Sequence, residues 1–200
     1  MAVICLIMGV ALGYLFRGSE SRPTQSSQAA AQPDLGSSPG AGMPQQMPTL
    51  DDMKRMADKQ AAPLLEKLKT DPNSSSLLNQ IGTLYQATHQ FKEAAGYYEK
   101  AVQTDPKNVA ARTDLASCLY YQGDVEGALK QLQTSLQFDP TDANTLFNLG
   151  VIRWQAKKDS SGAVSAWQQL LKSNPKLADD RKAAVEKLIA QAKQHISITN

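Results

Sequence analysis

Three Asp-Pro pairs divide the middle of this chain into equal lengths. Asp71-Pro72, Asp105-Pro106 and Asp139-Pro140 stand 34 residues apart, and Asn174-Pro175 follows 35 residues after the last of them. A period of that size marks a chain built from stacked copies of one supersecondary unit. Proline has no backbone N–H and suits a first helical turn, so each pair is expected to stop one helix and start the next.

The apolar positions repeat with the prolines. The first unit starts at Ser75 and carries Leu78, Ile81, Gly82 and Tyr85 on one helix, then Ala94, Tyr98 and Ala101 on a second, with Pro106 closing it. The second starts at Val109 and has Leu115, Ala116, Leu119, Ala128, Leu132 and Pro140. The third starts at Ala143 and has Leu146, Leu149, Gly150, Ala163, Trp167, Leu170 and Pro175, with one extra residue in the turn at 157–162. Gly82, Ala116 and Gly150 are expected to meet Ala94, Ala128 and Ala163, because small residues at a crossing let two helix axes approach closely. One such pair cannot bury its apolar face alone, so neighbours must stack.

This pattern resembles the tetratricopeptide repeat, with departures at Arg112 and Ser135 in the second unit and at Arg153 in the third. The resemblance covers about half of the chain. It implies an all-α, right-handed superhelical solenoid of three helix pairs, with a concave face built mainly from first helices. The positions that line that face in the family are Ser76, Asn79, Thr83 and Gln86 in the first unit. In the second they are Ala110, Thr113, Ser117 and Tyr120, and in the third Asn144, Phe147, Val151 and Trp154. The implied function is a scaffold or adaptor that takes a protein or peptide partner in this groove. Some family members grip a terminal carboxylate with Lys and Asn. Asn79, Thr83 and Thr113 stand at the matching positions with no Lys, so an apolar or aromatic segment is the expected ligand instead.

The flanks complete the reading. Residues 2–16 are fifteen residues with neither charge nor proline. As a helix they would cover about 23 Å, short of a ~30 Å hydrocarbon core. A short membrane anchor at 1–17 and a signal peptide both fit, with the anchor preferred because no basic residue precedes the run. Residues 18–50 are rich in Pro, Gly, Ser and Gln and are expected to be a disordered linker. The stretch 51–72 reads as a flanking helix or half-repeat that Pro63 kinks or restarts, ahead of the repeats at 73–175. In 176–200, a capping helix is expected at 176–194, opened by Asn174-Pro175, with Leu177, Ala184, Val185, Leu188, Ile189 and Ala192 on one stripe. The anchor–linker–repeat layout, and Ala163-Val164 with Trp167-Gln168, are also similar to membrane-anchored subunits of bacterial cytochrome c maturation. That likeness implies an array on the extracytoplasmic side of the inner membrane, presenting apocytochrome to haem attachment. Arg17 and Arg22, after the apolar run, favour the cytoplasmic side instead.

No chemistry is written in the remaining residues. The net charge of +2 gives no concentrated basic face for nucleic acid. The only histidines are His89, in a turn, and His195, near the C-terminus, and neither has metal-ligand spacing to another candidate. Cys5 lies in the apolar run and Cys118 at an interior helix position, so no disulfide is expected. No phosphate-binding glycine loop or nucleophile motif occurs. The expectation is a binding protein with no catalytic residue, cofactor, metal or small-molecule substrate.

Overall fold

The computed structural model describes residues 49–199, and among them every regular element is an α-helix. Eight follow in order: α1 (Leu50–Thr70), α2 (Ser75–Ala87), α3 (Phe91–Thr104), α4 (Val109–Tyr121), α5 (Val125–Phe138), α6 (Ala143–Gln155), α7 (Ser160–Ser173) and α8 (Asp179–Thr199). Each helix packs on the next, which gives the pairs α2/α3, α4/α5 and α6/α7 with α1 and α8 at the ends. The first helices also touch in succession, α2 against α4 and α4 against α6, so they line one face of the array together.

Local chemistry explains where the helices begin. Asn108, Asp124, Asp142 and Asp159 each accept a hydrogen bond from the backbone N–H three residues on, at 2.9, 2.8, 2.7 and 2.7 Å. Such caps satisfy donors that the first helical turn leaves free. The Asp-Pro pairs act differently from expectation. Asp71, Asp105 and Asp139 end α1, α3 and α5, but the next helix starts three residues after each proline. Asp105 and Asp139 turn their carboxylates onto the N–H two residues on, at 3.1 and 2.9 Å. The pair therefore builds a turn, and the following helix is opened by its own cap.

The turns inside the pairs carry a second regularity. His89, Gly123 and Lys158 have φ of +61°, +90° and +56°. They occupy one place in three successive units, shifted by the extra residue in the third. His89 is thus held by turn geometry.

The core follows the repeat. Ile81, Tyr98, Leu132, Leu146, Trp167 and Leu170 are fully buried, as is Cys118. Burying a large apolar side chain contributes about 1.5–3 kcal/mol. The small residues on the first helices serve the large ones on the second. A Cβ at Gly82 would lie 2.7 Å from the Tyr98 ring, and one at Gly150 would overlap the Trp167 indole. The nearest neighbours of Gly82 and Gly150 are thus the rings of Tyr98 and Trp167. Where the second helix carries the smaller Leu132, the first carries Ala116.

Several expectations are corrected. Residues 49 and 50, expected in the linker, belong to α1 instead, because Thr49 caps it and forms a reciprocal capping box with Asp52. Pro63 lies inside a single helix α1 and neither restarts nor divides it. Its missing donor leaves the Lys59 carbonyl without a helical partner, but both residues are exposed and water can serve it. The flanking turns are held by the buried Ala57 and Ala61 and by a 2.9 Å hydrogen bond from the Tyr85 hydroxyl to Asp58. Asn174 closes α7, with its side chain donating to Leu170 and Thr141 carbonyls, so the last helix starts at Asp179 and not at 176. Its buried stripe is Val185, Leu188, Ile189 and Ala192. The expected location in the inner membrane, by a single-pass transmembrane helix, is also corrected. No described helix is long and apolar enough to cross a membrane. The anchor at 2–16, Cys5 and the linker up to residue 48 lie outside the described residues.

Candidate functional site

The face lined by α2, α4 and α6 is where the repeat positions converge. On α2, Asn79, Thr83 and Gln86 are all partly exposed and follow one another by about a turn. They are positioned from behind by Tyr98 of α3. Its buried hydroxyl donates to Gln86 Oε1 at 2.6 Å and lies 3.2 Å from Thr83 Oγ1. Thr83 in turn donates to the Asn79 carbonyl at 3.0 Å. Burial, and then the negative charge of Asp114, push the Tyr98 phenol far above its ordinary range, so it stays a neutral donor. The Asn79 side-chain oxygen is buried and has no hydrogen-bond donor among the described residues.

On α4 the expected residues divide. Thr113 is not on the surface: it is 2% exposed, and its hydroxyl lies 2.7 Å from that of Thr145 and 3.4 Å from that of Ser135. The departure at Ser135 is thereby explained, because it adds a hydroxyl to this buried set. Thr145 donates onward to Asp142 at 2.6 Å, so the chain of hydroxyls ends on the cap of α6. Ser117 is partly exposed and joins helices, donating to the Thr113 carbonyl and accepting from Asn148 at 3.1 Å. Tyr120 is partly exposed, and its hydroxyl donates to Gln155 of α6 at 3.0 Å. Arg112, the other departure, is braced by Gln131 and the Pro106 carbonyl and lies over the Phe138 ring.

On α6, Phe147 is 4% exposed and belongs to the core, and its carbonyl accepts the Trp167 indole N–H at 3.1 Å. Asn144 is exposed and accepts from Arg181 of α8 at 3.0 Å. Val151 and Trp154 are partly exposed, and Trp154 meets Trp167 edge-on with ring centres 5.7 Å apart. Ten of the twelve expected groove positions therefore reach the surface, Ser76 and Ala110 among them, while Thr113 and Phe147 pack beneath it. The surface is polar at the α2 end and aromatic at the α6 end.

Two residues on this face were missed. Asp114 and Asn148 stand 34 apart, as does Gln80 before them, one place after the positions chosen. The same period would have found them. Asp114 is partly buried and takes no hydrogen bond among the described residues. Burial, and then the charge of Asp142, push its carboxyl up to about 7. Burial likewise raises the Cys118 thiol to about 12, which leaves it protonated and inert. Among the described residues no group of His, Cys, Asp or Glu could hold a metal ion.

Comparison with known proteins agrees with this architecture. Family models described as tetratricopeptide repeat match residues 85–149 and 144–176. Anaphase-promoting complex subunit 3 of Schizosaccharomyces pombe is 34% identical over 88 residues, which is 44% of this chain and 13% of that protein. The chain thus spans a small fraction of that relative's length. The crystal structure of the Sgt2 TPR domain from Aspergillus fumigatus superposes with a TM-score of 0.57 at 21% identity, covering 63% of this chain and 81% of that one. The first TPR of Spaghetti (RPAP3), bound to the HSP90 peptide SRMEEVD, gives a TM-score of 0.55 at 17% identity, covering 62% of this chain and 93% of that one. With the repeat seen in its period, its helix pairs and its family matches, the chain belongs to the tetratricopeptide-repeat proteins.

Proposed function

We propose that this chain is an adaptor that binds a peptide segment of a protein partner along the face lined by α2, α4 and α6, and that it is not an enzyme. The observation that carries the reading is the row of accessible polar and aromatic side chains on three touching first helices, from Asn79 to Trp154. Several also bond within the array, as Gln86 does with Tyr98 and Tyr120 with Gln155, yet each keeps part of its surface open. Partly exposed aromatics at one end, Tyr120 and Trp154, are the residue types that dominate binding hot spots. The Spaghetti domain, which holds a peptide, supports the same use of the fold.

The test is a selection of peptides from a displayed random library on the full-length chain, followed by affinity measurements. Tyr120→Ala and Trp154→Ala are expected to weaken the selected peptides by about 2 kcal/mol or more, roughly thirtyfold. Unchanged affinity in both variants, with helical content retained, would remove the groove from the account. A peptide containing C-x-x-C-H is included as a separate arm, because the apocytochrome reading, drawn from the layout and from Ala163-Val164 with Trp167-Gln168, fails if that peptide does not bind.

A further inference from the structure

Four side-chain amides on this face are turned the same way. Gln86 Oε1 accepts from the Tyr98 hydroxyl at 2.6 Å, Gln155 Oε1 from the Tyr120 hydroxyl at 3.0 Å, and Asn144 Oδ1 from Arg181 at 3.0 Å. The Asn79 oxygen is buried. A carboxamide whose oxygen is held inward presents its nitrogen, with two N–H donors, on the other side. None of these four nitrogens donates to another group among the described residues, and all four residues are partly or fully exposed. Asn79 and Gln86 are seven residues apart on α2, and Asn144 and Gln155 are eleven apart on α6. Either spacing returns to within about 20° of the same helix face, about 10 and 16 Å along the axis. Asn148, between the latter two on α6, is turned the other way. Its nitrogen donates to Ser117 at 3.1 Å, and its oxygen is left open.

Extending the groove reading above, on which this rests, we infer that these carboxamides grip the main chain of the bound peptide by donating to its carbonyl oxygens. The donors stand too far apart for one side chain to serve them. An extended peptide carries a carbonyl at every residue, about 3.3 Å apart. Its main chain also brings N–H groups, which suit the open oxygen of Asn148, whereas a carboxylate brings none. The twelve groove positions hold neither Lys nor Arg, so an anionic side chain finds no cation among them. Because every residue supplies the same carbonyl, the grip is indifferent to sequence. Sequence preference then falls to the aromatic end, with Tyr120, Val151 and Trp154.

The test uses the full chain and the library-selected peptides whose binding depends on Trp154. Gln86→Glu keeps an acceptor for Tyr98 and replaces the donor by an oxygen. Asn79→Leu removes the donor together with an oxygen that has no partner among the described residues. Each variant should weaken these peptides at least about fivefold, whatever their side chains. Circular dichroism confirms that each is folded. Replacing the peptide's amides one at a time by esters weakens the preceding carbonyl as an acceptor. At one position the ester should cost about fivefold in the parent chain and less than about twofold in the variant lacking the matching donor. Unchanged affinity in both variants overturns the grip. So does a loss that disappears when one Asn, Gln, Asp or Glu of the peptide is replaced by Ala, because the acceptor is then a side chain. Both outcomes leave the groove reading standing. Peptides that depend on neither Trp154 nor Tyr120 overturn the groove reading, and the grip with it.

Discussion

Gly82→Ala puts two effects in direct opposition. Gly82 lies in the middle of α2, where Ala is favoured over Gly by about 1 kcal/mol through helix propensity alone. The new Cβ would stand 2.7, 2.9 and 3.0 Å from three carbons of the Tyr98 ring. That ring is 0% exposed and its hydroxyl is tied to Gln86 at 2.6 Å, so it has nowhere to retreat. Overpacking of this kind costs about 1–3 kcal/mol, and stretching the Tyr98 hydrogen bond adds about 1. The net expectation is a loss of about 1–3 kcal/mol, read by urea unfolding of the full chain followed by circular dichroism. The second unit supplies the control, since Ala116 there stands where Gly82 does and Leu132 where Tyr98 does. In a double-mutant cycle with Tyr98→Leu, the two changes should couple favourably by about 1 kcal/mol or more. A Gly82→Ala chain as stable as the parent, or more so, would refute the reasoning, because it would mean that propensity outweighs the crowding.

Pro63→Ala should stabilise the array by about 1–3 kcal/mol in the same assay, since the exposed Pro63 lies inside α1 and costs it a backbone hydrogen bond. Lys158→Gly should gain and Gly123→Ala lose about 1 kcal/mol each, because both sites hold a left-handed backbone that Gly alone adopts freely. Equal stabilities would show that the turns relax. Asp114→Asn should stabilise the chain only at higher pH. Its carboxyl rises from 3.8 unfolded to about 7 folded, so the folded state holds the proton more tightly and stability falls as pH climbs from about 4 to 7. That interval amounts to about 4 kcal/mol at most, and partial contact with solvent lowers it to about 2–4. Urea midpoints that differ between variant and parent at pH 8 and coincide near pH 3.5 are the expected result, and a pH-independent difference would contradict it.

The fold was legible because its chemistry is periodic. The spacing of Pro72, Pro106 and Pro140, and the small residues at 82, 116 and 150, are local signals repeated three times. The errors fall where the period ends or where depth matters. Nothing local distinguishes Pro63, tolerated on the exposed side of α1, from a proline that breaks a helix. Asn174 looks like a helix opener beside a proline, but its role as the end of α7 depends on contacts with Leu170 and Thr141. At the site, the register of the first helices found Asn79, Thr83, Gln86, Ser117, Tyr120, Val151 and Trp154 on the surface. It misplaced Thr113 and Phe147, because a residue's register gives its direction while its burial depends on the neighbouring helix. Thr113 is covered by Thr145 and Ser135 from two other helices. Asp114 was overlooked among scattered acids, since only its three-dimensional surroundings show that it is partly buried and meets no donor among the described residues.

The central claim, that the face lined by α2, α4 and α6 holds the partner, is tested most directly by mapping where a library-selected peptide lies on the full chain. Photo-crosslinking from the peptide, or amide chemical-shift mapping, reads this without assuming the ligand. The account predicts that the contacts run along Asn79, Thr83, Gln86, Ser117, Tyr120, Val151 and Trp154. Contacts gathered instead on the exposed Tyr121 stacked against Phe91, or on Phe138 at the end of α5, would contradict it.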